Sequence, residues 1–148
     1  MGVSVAMKRI IIIALLLTLT LSTLPASAVP LLSSDLIQSA IVAVDYLSSG
    51  EYERLVTLLP FSGVAPGASE WERFSRNYGK DTFFSDGSAT AYWKGGHWNI
   101  AVPILSSDSE AEALVLSSED GCSFTGYRYA TWDEVEAAYS NSSHVLSY

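Results

Sequence analysis

The 148-residue chain carries 16 acidic against 8 basic side chains, a formal net charge of −8, and 49% of it is hydrophobic. Such a surface repels phosphate backbones and anionic headgroups, which excludes nucleic acid and lipid as favoured partners. Cys122 is the only cysteine, so no intramolecular disulfide can form, and a buried inert thiol is its expected state.

The chain opens with a leader-like stretch. Met7-Lys8-Arg9 is basic, Ile10–Leu24 is apolar, and Pro25 with Ala26-Ser27-Ala28 offers a small-x-small cleavage site. Together these describe a secretory signal peptide, and the apolar run falls short of the roughly 20 residues that span a bilayer. Residues 1–28 are therefore read as the leader and residues 29–148 as one domain, with no membrane insertion after cleavage. Cleavage would leave six basic and sixteen acidic side chains, a net charge near −10.

Helical spacing rules the first half of that domain. A cap-like start at Asp35, with Gln38 three residues on, leads into Ile37, Ala40, Ile41, Val44 and Leu47, one apolar stripe that Gly50 is placed to end. A second stripe, Tyr52, Leu55, Val56 and Leu59, closes at Pro60. Ser69 and Glu72 then suggest a capping box for a third helix, with Trp71, Phe74 and Tyr78 on one face and a stop at Gly79.

Beyond Gly79 the period becomes alternating, with first strands expected around Thr82-Phe83-Phe84. The octet Tyr92–Asn99 (YWKGGHWN) reads as a hairpin turning at Gly95-Gly96, where positive φ angles suit glycine. That register sets Trp93 across from Trp98, Ala91 from Ile100 and Ala89 from Val102. Lys94 opposite His97 and Tyr92 opposite Asn99 then occupy the other, polar face. A second hairpin is expected between Ala111 and Tyr129, turning at Glu119-Asp120-Gly121 and pairing Leu116 with Phe124. Thr131 and Glu134 form a capping box for a last helix with Trp132, Val135 and Tyr139 on one face, and Val145-Leu146 suggests a final strand.

Chemistry-bearing patterns are few. His97 follows a turn beside a lysine, and His144 has no metal-ligand partner at usable spacing. Asp108, Glu110 and Glu112 lack the spacing of a calcium loop and read as a solvated acidic patch. Asn141-Ser142-Ser143 is a glycosylation sequon. No catalytic, cofactor-binding or metal set is expected. Asp45, Trp71, Tyr78, Trp93, Trp98 and Phe124 are the residues expected to line any pocket, although rings that fill the interior are the favoured reading.

The element order, and the phrase Asp45-Tyr46-Leu47-Ser48-Ser49-Gly50-Glu51-Tyr52-Glu53 between the first two helices, resemble the nuclear-transport-factor-like, or ketosteroid-isomerase-like, superfamily. The resemblance implies a cone of helices on a bent sheet, while the helix after Thr131 departs from the family's strand-rich ending. No position matches the family's catalytic pattern. The expected fold class is α+β: N-terminal helices packed on a curved antiparallel sheet, after a cleaved signal peptide. The leading functional expectation is a secreted or cell-envelope, non-catalytic domain that binds a small apolar or cationic ligand or a protein partner. Two alternatives stand beside it. One is an isomerase- or hydratase-like enzyme using Asp45 or another pocket acid on an apolar substrate in a cone-shaped pocket. The other is a structural envelope protein that homodimerises through its sheet.

Overall fold

The computed structural model describes residues 28–78, 86–105 and 111–148. They form an α+β domain of four helices and one five-stranded antiparallel sheet. Helices α1 (Ser34–Ser49), α2 (Tyr52–Leu58) and α3 (Ala68–Tyr78) precede strands β1 (Thr90–Lys94), β2 (His97–Leu105), β3 (Ala111–Ser118) and β4 (Gly126–Thr131). Helix α4 (Trp132–Ser140) and strand β5 (Val145–Ser147) follow, and the sheet order is β4-β3-β2-β1-β5. The expected strands at Thr82-Phe83-Phe84, the stop at Gly79 and the acids Asp108 and Glu110 lie outside the described residues.

The helices follow their apolar spacing. Ile37, Ala40, Ile41, Val44 and Leu47 of α1 are all buried, as are Leu55, Leu59, Trp71 and Phe74. Gly50 ends α1 with φ 72°, its amide bonded back to the carbonyl of Leu47. Two expected caps are not formed. The residue before α1 is Ser33, whose own amide donates to Gly121 O, and Asp35 lies inside the first turn, where its charge complements the helix dipole. Helix α3 starts at Ala68, with Gly67 O accepting from Glu70 and Trp71; Ser69 is thus already helical, and Glu72 pairs with Arg76 at 2.6 Å.

The first hairpin has the expected register: Trp93↔Trp98, Ala91↔Ile100, Tyr92↔Asn99 and Lys94↔His97. Gly95 and Gly96 both hold positive φ, 67° and 82°. The second hairpin does not have the expected register. Leu116 faces Tyr127, not Phe124, and Leu114 faces Tyr129. The reason is that residues far back in the chain claim the Phe124 backbone: its amide donates to Pro60 O at 2.8 Å and its carbonyl accepts from Ser62 at 2.9 Å. The ring stacks obliquely on Phe61, 5.8 Å between centroids. The connection must lengthen to let Phe124 reach that partner. Within it Cys122 is exposed, correcting the expected buried thiol, because Phe124 takes the inward position and Asp120 caps the Cys122 amide at the surface.

Each face of the sheet has its own core. Ala91, Trp98, Ile100, Val102, Ile104, Leu114 and Leu116 meet α1–α3, with Ala89 and Phe124 in the same cluster. Tyr92, Ala101, Ala113, Val115 and Ala130 meet Val135 of α4, with Trp132, Ala138 and Tyr139 packed on the margin. The face expected to be polar is therefore covered at Tyr92 and Asn99, 1% and 5% exposed, while Lys94 stays exposed and His97 half-buried beside the turn. Burial raises the Tyr92 phenol above its ordinary pKa, opposed by Arg128, whose guanidinium donates to the phenolic oxygen at 3.4 Å.

Candidate binding surface

Trp98 organises one end of the molecule. The Gly95-Gly96 turn aims its ring at the α1–α3 side, where it meets Trp93 edge-on, 5.7 Å between centroids. Its indole Nε1 donates to Pro30 O at 2.8 Å, so the segment leading into α1 lies alongside the hairpin. Two further contacts fix that segment. The Ser33 amide donates to Gly121 O at 2.8 Å, and Gly121 presses so closely on Leu31 that an added Cβ would stand 2.1 Å from Leu31 O.

On the far edge, β5 pairs with β1 through Thr90↔Ser147, Ala91↔Leu146 and Tyr92↔Val145. The entering segment and β5 leave between them a trough of about 650 Å³, with Trp98 among its lining residues. Val29, Pro30, Leu31 and Leu32 line one side; Ser143, His144, Val145, Leu146 and Tyr148 line the other. Five large hydrophobic side chains are exposed among the described residues, and all but Val64 line this trough: Leu31, Val145, Leu146 and Tyr148. Clustering of that kind marks binding surfaces, whereas single exposed apolar residues are ordinary. The volume is in the range of small-molecule sites.

The residues expected to line a pocket are scattered by the fold. Trp98 reaches the trough, with Trp93 beside it. Trp71 and Phe124 are fully buried in the α1–α3 core, Trp71 stacked against Tyr127 at 4.4 Å and Phe74 at 5.9 Å. Asp45 is exposed on α1, outside the buried core. Tyr78 ends α3, and its side chain lies outside the described set. Among the described residues the buried polar side chains are Asn99 and Ser118, so no desolvated carboxylate is among them. No group of three or more His, Cys, Asp or Glu side chains close enough to hold a metal occurs among them. His97 sits at the first turn with Nδ1 3.1 Å from Gly95 O. No described helix is long and apolar enough to cross a membrane.

A second, smaller cleft of about 440 Å³ runs between α3 and β4, lined by Glu70, Arg73, Phe74, Asn77 and residues 127–129. Burial raises the Tyr127 phenol above its ordinary pKa, Glu70 pushes it further in that direction, and Arg73 opposes. Sequence reasoning missed the trough because its two sides lie more than a hundred residues apart. The available signal was the uncharged, apolar run Val145-Leu146, read as a strand and not as an exposed one. No family model, curated protein or solved structure matches the chain.

Proposed function

We propose that the protein is an exported, non-catalytic domain that binds an apolar small molecule or an apolar surface of a protein partner in the trough beside Trp98. The observation that carries this reading is the gathering of Leu31, Val145, Leu146 and Tyr148 around one concave surface on an otherwise acidic molecule. Trp98, its indole Nε1 bonded to Pro30 O and the residue only 3% exposed, supports the trough from beneath, and the exposed apolar side chains around it supply the contact surface. Export rests on the basic start, apolar run and Ala26-Ser27-Ala28 of the leader, with cleavage before Val29. The kinship with the nuclear-transport-factor-like superfamily, and the bent sheet it implies, belong to the same proposal, supported by three helices on one face of an antiparallel sheet.

A neutral fluorescent probe such as 1-aminoanthracene, titrated into the protein purified from its own host, tests the trough. Leu31→Asp and Leu146→Asp each weaken binding at least tenfold, about 1.4 kcal/mol, with circular dichroism unchanged. Equal affinity in both variants would refute the assignment. Intact mass on the same sample gives a chain beginning at Val29.

A further inference from the structure

The outer edge of β5 carries a pattern of its own. The amides and carbonyls of Ala89 and Tyr148 exchange both bonds, at 3.1 and 2.9 Å, and Trp93 donates to His144 O at 3.0 Å. Along an antiparallel strand these roles alternate, so His144, Leu146 and Tyr148 direct their backbone groups at β1. Val145 and Ser147 direct theirs outward. β5 ends the sheet order, and no other described strand meets that edge. Free edges are ordinarily guarded by charge, proline or a bulge. Here His144–Tyr148 contains no Lys, Arg, Asp, Glu or Pro, and Val145, Leu146 and Tyr148 are 42%, 39% and 46% exposed.

The outward row is also self-complementary about Leu146. We infer that the protein partner of this surface is a second copy of the same chain, joined by antiparallel β5–β5 pairing across a two-fold axis at Leu146. This rests on reading the trough margin as a binding surface, and it names the occupant of that margin. To one side of the axis Val145 meets Ser147 of the second copy, and each donates its amide to the other's carbonyl; symmetry repeats the exchange on the other side. Leu146 then faces Leu146 in a non-hydrogen-bonded pair, with Cα atoms about 4.5 Å apart and apolar side chains in contact. His144 lies opposite Tyr148 on the same face. A net charge of −8 per chain opposes close approach in general, and the strand His144–Tyr148 adds no acidic or basic side chain of its own to that repulsion. A second copy fits better than an unrelated peptide because one strand supplies both halves of the register.

Ser147→Pro separates this model from others. It removes an outward amide while Leu146 and Tyr148 keep their bonds to β1, and proline is tolerated on such an edge. Sedimentation of the protein purified from its own host shows a dimer, and Ser147→Pro raises its dissociation constant at least tenfold with unchanged circular dichroism. In a Cys122→Ser background, Leu146→Cys forms a symmetric interchain disulfide on mild oxidation, since the Cα spacing allows it, whereas Val64→Cys on a separate exposed loop does not. A monomer at the highest attainable concentration, a dimer indifferent to Ser147→Pro, or equal cross-linking at both cysteines overturns the pairing. Retained 1-aminoanthracene binding in a monomeric protein would leave the trough reading intact, and loss of both would end it as well.

Discussion

Asp120 shows how much one exposed carboxylate can organise. Its Oδ1 accepts from the Cys122 and Ser123 amides, both at 2.8 Å, and its Oδ2 from the Ser123 hydroxyl at 2.9 Å. These donors hold the carboxyl at about 2, below its ordinary 3.8, the Cys122 amide contributing most. A carboxyl whose folded value is depressed stabilises the fold fully above its unfolded value and loses that contribution as pH falls through the folded one. Thermal midpoints of the wild-type protein therefore decline from about pH 4 toward pH 2, and Asp120→Asn flattens that segment of the profile. A parallel decline in the variant would remove Asp120 as the cause. Glu119-Asp120-Gly121 was legible as a turn from its residues alone; which donors it would gather was not, because those depend on how far the loop extends.

Among elements, the first hairpin and the last helix were readable from neighbours in sequence, whereas the starts expected at Asp35 and Ser69 fell a residue or two inside their helices. The first hairpin is fixed by two glycines and by alternation over a few residues on either side, so its register follows directly. Helix α4 is likewise local. Thr131 Oγ1 accepts from the Glu134 amide while the Glu134 carboxylate accepts from the Thr131 amide, both halves of the expected box. Thr131→Ala is expected to lower unfolding free energy by about 1 kcal/mol in urea titrations, since α4 is short and its cap is a large share of its local support. An unchanged midpoint would mean that packing against Tyr92 and Val115 alone holds the helix. The second hairpin failed to follow from local pattern for the opposite reason. Phe124 is a good cross-strand residue, but it answers to Pro60, Phe61 and Ser62, which no window around residue 120 contains.

At the scale of the molecule, the change from helical to alternating period was enough to give the α+β class, but not the two-sided core. The signal for the second face was the stripe of α4, whose destination only topology reveals. The trough was illegible for a similar reason: it joins Val29–Leu32 to Ser143–Tyr148 through Trp98. Gly121 tests that long-range closure. At φ 75° any side chain is strained by about 1–2 kcal/mol, and here a Cβ would also collide with the Leu31 backbone. Gly121→Ala should cost clearly more than Gly50→Ala, whose φ of 72° is similar but whose surroundings are open. Denaturant melts that rank the two equally would place the Leu31 contact outside the stabilising core.

That same closure bears on how the backbone ahead of α1 meets a protease. The bond between Ala28 and Val29 lies two residues from a carbonyl gripped by an indole and five from an amide held by the Gly121 loop. Any protease that needs a slack, extended substrate finds the backbone here already engaged at Pro30 and Ser33. The folded domain therefore resists cutting at this point unless the segment first lifts away from Trp98 and Gly121.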